Sequence, residues 1–332
     1  MVKWGAHLPL LERVAAKHAI KIRAALLQSV DPTKVVLDYL HTHPVVTDNP
    51  AQDRTRARAW AMHSVNLDSS SLRPIFSRIY AENYVIGQAS AEDYVYRSVK
   101  ARKSANLSVD WSTWQPGNRT AAALVSPSGG LKSLLDKSGV TIKSINQTTY
   151  DVLGNTLANG LSKGLPSKQI ASMINDALGS TPRALTIART EGTRASNAAL
   201  TDTYSQMGVE TVEWSAVAPD KCICVDLDGE QTNLGEEFPS GDGLTQPPAH
   251  PNCVCTLIAI IPDNVTLDSL SDYGNSNSDF MSGILAGSIG TGLADNGLNN
   301  NYDDGEGDTY ATFAPDKPSK PKTKALQSTH NL

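Results

Sequence analysis

The stretch Pro247-Pro248-Ala249-His250-Pro251-Asn252-Cys253-Val254-Cys255, running into the apolar segment Thr256 to Ile261, decides how this chain is read. Prolines fix φ on both sides of the histidine and stiffen the turn, so the imidazole is held in place. The short apolar segment behind it is expected to be a β-strand. A second cysteine pair, Cys222-Ile223-Cys224, lies upstream, so all four cysteines fall within a span of 34 residues. Thiolates and imidazoles delivered from two short loops are the makings of a tetrahedral structural Zn²⁺ site. The candidate ligands are Cys222, Cys224, His250, Cys253 and Cys255; five donors exceed four seats, and one is spare. In an extended C-x-C both side chains point the same way, so each pair is expected to aim two sulfurs at one ion. Packed reduced thiols, or a disulfide between the pairs, are the alternatives. The surrounding β-rich segment has only Trp214, Phe238 and a few aliphatics as core, a shortage that a metal cross-link offsets.

Working outward, Thr181-Pro182 opens a long helix carried by Leu185, Ala188, Ala195, Ala199 and Tyr204 and stopped at Gly208. Val209 to Trp214 alternates in the manner of a strand, and Asp228-Gly229 is a candidate hairpin turn. Gly164-Leu165-Pro166-Ser167 ends one helix and starts another, whose apolar face is Ile170, Ile174, Ala177 and Leu178. The first hundred residues also read as helical. Leu11, Val14, Ala15, His18, Ile22, Ala25 and Leu26 recur at three- and four-residue steps, and Asp31-Pro32 supplies a cap and a first-turn proline. Asp53 to Val65 and Ser71 to Lys103 continue the pattern. His41 and His43 mark the end of a helix rather than a second metal site.

The chain is therefore expected to be α+β. A helical N-terminal region (1–118) and a helical connector (119–163) precede a long helix with a small β-rich Cys/His module (164–262). A low-complexity, acidic and disordered tail (263–332) follows, with no basic residue before Lys317. A net charge of -5 argues against a nucleic-acid binder overall. Residues 1–103 nevertheless hold an excess of Lys and Arg, among them Arg54, Arg56, Arg58, Arg73, Arg78, Arg97, Arg102 and Lys103, which could neutralise phosphates. No stretch approaches the roughly 18–20 uninterrupted apolar residues of a membrane span. No signal peptide is evident at Met1 to Leu10, and four cysteines are too few for a disulfide-stapled secreted scaffold. A soluble chain without a membrane partner is expected. Neither a P-loop nor a nucleophile elbow occurs, and Asp220 or Asp226 as a general base would have nothing to position a substrate.

From Leu165 to Ile261 the chain resembles the Mu F-like phage minor head proteins, the head morphogenesis family. The resemblance is carried by Ile187-Ala188-Arg189-Thr190-Glu191 with Asn197 and Ala198, then Gly208-Val209, Trp214, Asp220 and the first cysteine pair. Leu227-Asp228-Gly229 and Pro247-Pro248-Ala249-His250-Pro251-Asn252-Cys253-Val254-Cys255 complete it. Two positions depart from the usual pattern: the first pair is C-x-C where C-x-x-C is commoner, and Val254 stands where Arg is frequent. The resemblance implies a structural, low-copy minor capsid protein of the virion, present in the host cytoplasm during assembly. It further implies association with the phage portal protein, help in procapsid assembly beside major capsid or scaffolding protein, and in some phages genome delivery. It also favours a role for Arg189 and Glu191 in tying the long helix to the β-segment through charge-assisted hydrogen bonds. The rival readings are a phage-encoded enzyme of the ADP-ribosyltransferase type, for which Glu236-Glu237 or Asp304-Gly305-Glu306 would be the acidic pair, and an internal head protein that touches packaged DNA through its basic N-terminal region.

Overall fold

The computed structural model describes residues 7–43, 49–101, 111, 114, 116–217 and 222–277. Eight helices come first: α1 (Leu8–Gln28), α2 (Pro32–Thr42), α3 (Pro50–Ser64), α4 (Leu72–Ala101), α5 (Gly117–Val125), α6 (Gly129–Ser162), α7 (Ser167–Leu178) and α8 (Thr181–Gln206). The sheet strands β1 (Thr211–Ser215), β2 (Gln231–Asn233) and β3 (Thr256–Ile260) follow, with the short α9 (Ile223–Leu227) between β1 and β2 and α10 (Leu267–Asn277) after β3.

The helix starts obey local chemistry. Asp31 accepts hydrogen bonds from the Thr33 and Lys34 amides ahead of α2, and Asn49 does the same for Ala51 and Gln52 ahead of α3, each followed by proline in the first turn. Ser180 caps α8 in front of Pro182. At the other end Gly208, at φ +76°, turns the chain out of α8 toward β1, a conformation that favours glycine.

The spine is the pair α4 and α8. They cross so closely that a Cβ built on Gly87 would stand 2.4 Å from the Ser196 carbonyl oxygen. Much of α4 is buried on several sides, with Ile79, Tyr80, Ile86, Val95 and Tyr96 all in the core. α1 lies against both, contributing Ile22 and Leu26 to one cluster and Leu10 and Val14 to another. α3, α6 and α7 form a third cluster around Leu153, Leu157, Ile170 and Ile174.

The sheet has the order β2-β1-β3, antiparallel throughout, with Val212 opposite Ala259 and Trp214 opposite Leu257. Val212, Trp214, Leu257 and Ala259 are buried, in one core with Leu200 and Tyr204 of α8 and Val85, Ile86 and Val95 of α4. The chain leaves β3 through a turn into α10, where the Tyr273 hydroxyl donates to the fully buried Glu92 carboxylate of α4 at 2.9 Å. The rest of the segment expected to be disordered, 278–332, lies outside the described residues. No helix among the described residues is long and apolar enough to cross a membrane.

Candidate metal centre

Two loops deliver the sulfurs, and they do so differently. The second pair, Cys253 to Cys255, lies outside helix and turn and leads directly into β3. The first pair departs from the extended form expected of it. Cys222 is the N-cap of α9 and Cys224 sits within its first turn, so the pair is wound rather than extended. The excursion from β1 through α9 to β2 is closed by Asp228, whose carboxylate accepts the Ala216 amide at 2.8 Å, and by Gly229 at φ +81°. Asp228-Gly229 thus ends a helix instead of making a tight hairpin.

The five donors nonetheless fall into two overlapping groups. The ligand atoms of Cys222, Cys224 and His250 lie within 4.8 Å of one another, and so do those of Cys224, Cys253 and Cys255. Cys224 belongs to both groups. All four cysteines are free thiols, and the Cys224 and Cys253 sulfurs are 3.8 Å apart. A disulfide would need about 2.05 Å, whereas two ligands on a tetrahedral ion with legs of about 2.3 Å are about 3.8 Å apart. Cys224, Cys253 and Cys255 are buried and Cys222 half-buried.

Crowding splits the thiol acidities. Hydrogen bonding from Cys255 pulls Cys253 down to about 5. Cys224 is pushed up to about 12 by burial and by the neighbouring Cys253 charge, and Cys255 is raised by its bond to Cys253 and by burial. One thiolate is thus favoured at the cost of the others, the conflict that a divalent cation relieves. His250 donates from Nδ1 to the Pro251 carbonyl at 2.9 Å. Its Nε2 is buried and has no hydrogen bond of ordinary geometry. An imidazole set beside the Cys222 and Cys224 sulfurs suits a thiophilic metal, and the cluster has the donors to hold one.

The loop carrying His250, Cys253 and Cys255 is held by α8. Thr190 accepts the Asn252 amide at 2.9 Å, and Thr193 donates to the Cys253 carbonyl at 2.7 Å. Asn197 donates to the Cys255 carbonyl at 3.1 Å and accepts the Leu257 amide at 3.0 Å. Asn197 therefore satisfies two backbone groups on the edge of β3 that a further strand would otherwise pair. Asn252 takes a left-handed φ of +64°, which asparagine tolerates better than most residues.

Arg189 and Glu191 divide their work. Arg189 reaches Asn252 at 3.3 Å, but its main partner is Glu12 of α1, at 2.6 and 2.9 Å. Glu191 does not touch the β-segment: it accepts from Tyr80 of α4 at 2.8 Å and from Arg194 on its own helix. The anchoring expected of Glu191 is corrected accordingly, because its position on α8 faces the spine rather than the sheet. Trp214 is fully buried, 5.3 Å from Phe238 edge to face. Asp220 lies outside the described residues, as do Arg102, Lys103, Asp304 and Glu306. Glu236 accepts from Asn233 at the surface. Of the basic N-terminal residues, Arg56, Arg58, Arg78 and Arg97 are paired with Asp53, Asp151, Glu82 and Asp93.

No curated protein and no solved structure matches the chain. Residues 151–258 match the family model described as phage Mu protein F like protein. The match begins within α6, takes in α7, α8, the sheet and both cysteine loops, and ends inside β3. Over these residues, about a third of its length, the chain is similar to the phage Mu protein F like family.

Proposed function

We propose that this protein is a low-copy minor head protein of the virion that docks at the portal vertex and assists procapsid assembly, with its Cys/His cluster holding a structural zinc ion. The observation that carries the reading is the use made of α8. Four of its polar residues are spent inside the molecule, Thr190, Thr193 and Asn197 on the metal loop and Glu191 on α4. Such an arrangement fixes a shape for a partner to recognise; it does not aim an acid and a base at a bound substrate. Genome delivery would follow from a place at the portal, where the DNA leaves the head.

Co-expression of the full chain with the portal protein of the same phage, followed by size-exclusion chromatography, tests the reading. Co-elution in a complex is expected. Separate elution at low and moderate salt would defeat it.

A further inference from the structure

Five donors surround a site with four seats, and the structure distinguishes them. This inference rests on the reading that the cluster holds a metal. Cys224 is common to both groups of neighbouring ligand atoms and is fully buried, and Cys253 and Cys255 are buried beside it. The open question is the fourth ligand, since Cys222 and His250 both lie within 4.8 Å of Cys224.

Three observations favour the histidine. Its Nε2 is buried and has no hydrogen bond of ordinary geometry, the ring's polar neighbour being the Cys222 thiol, so the nitrogen is placed to take a metal. Its Nδ1 is held by the Pro251 carbonyl, the outer-shell arrangement by which a protein fixes the tautomer and aim of a ligating imidazole. Charge points the same way. Four thiolates on a divalent ion leave two negative charges, while three thiolates and an imidazole leave one. The Arg189 guanidinium shares a cavity wall with His250, Cys253 and Cys255, but Glu12 already neutralises it. Cys222, by contrast, is half-buried at the N-cap of α9, where the Cys224 amide is available to its sulfur whether or not a metal is bound. A thiol in contact with water gives up little by staying outside the shell.

We infer that Cys224, Cys253, Cys255 and His250 Nε2 form a closed three-sulfur, one-nitrogen site for a thiophilic divalent ion of the zinc class, and that Cys222 is the spare donor. A closed shell has no position for water or substrate, so the ion is structural.

The test uses the full chain, purified under reducing conditions and titrated with Zn²⁺ alone and with Co²⁺, whose sulfur-to-metal charge-transfer band grows with the number of bound thiolates. The wild type should take one equivalent of either ion. Cys222→Ser should keep the stoichiometry and the band. His250→Ala should weaken Zn²⁺ binding by more than about tenfold, the lower end of what loss of an outer-shell partner costs. His250→Cys should restore binding and raise the band by about a third, from three sulfurs to four; it also covers the case in which the alanine variant does not fold. A band reduced by Cys222→Ser, or binding unchanged in His250→Ala, would overturn this ligand set in favour of four cysteines. Uptake of neither ion by the wild type would instead defeat the metal reading itself.

Discussion

Asn197→Ala is the most informative single change in the scaffold. The side chain is buried and makes three hydrogen bonds: to the Thr193 carbonyl at 2.9 Å, to the Cys255 carbonyl at 3.1 Å, and from the Leu257 amide at 3.0 Å. The Thr193 carbonyl lies within α8, where the helix ladder supplies it with a donor. The other two groups sit at the entry to β3 and within it, so alanine strands one donor and one acceptor. At about 1–3 kcal/mol for each unsatisfied group the loss is about 2–6 kcal/mol, against a total stability of about 5–15 kcal/mol for a typical domain. Urea denaturation followed by tryptophan fluorescence provides the assay, because Trp214 is buried opposite Leu257. The midpoint should fall steeply with little change in slope. A variant within about 0.5 kcal/mol of wild type, the range of ordinary surface substitutions, would refute the argument that Asn197 stands in for a neighbouring strand.

Three other outcomes follow from the packing and the charges. Gly87→Ala should destabilise the α4–α8 crossing, because the new methyl meets the Ser196 backbone rather than a movable side chain; a melting temperature equal to wild type would contradict the close approach. Glu82 is buried, and although burial alone would raise it, His18, Lys17 and Arg78 hold its carboxyl at about 2, below its usual 4.5. A depressed carboxylate contributes stability that is fully present above pH 4.5 and disappears as pH falls toward 2, here about 3 kcal/mol; Glu82→Gln should flatten the acid limb of a stability–pH profile, and an unchanged limb would count against the pair. Cys253→Ser should lower the melting temperature of the full chain, and an unchanged melt would make the cluster incidental to the fold.

Much of this architecture was legible where local chemistry acts alone. Asp31-Pro32, Thr181-Pro182 and Gly208 mark helix ends because caps and φ preferences need no distant partner. β1 could be read because one face of it is buried, and β3 because it is a short apolar run. The clustering of the cysteines indicated that their loops meet. What escaped was set by long-range packing. α9 is too short, and too rich in β-branched Ile223 and Val225, to announce itself as a helix. Arg189 finds Glu12 at a separation of 177 residues, which no local pattern encodes. Thr193 went unnoticed as an anchor, although Thr190, Thr193 and Asn197 recur at three- and four-residue steps on an Ala-rich helix. That small polar stripe was the available signal.

The proposed metal is expected to close the Cys/His module. That expectation is tested most directly by melting the intact chain before and after removal of metal by a chelator, with buried Trp214 as reporter. An ion present at a thousandfold above its dissociation constant adds about 4 kcal/mol. The account therefore predicts a lower transition after chelation, restored by Zn²⁺. Superimposable curves with and without chelator would contradict it.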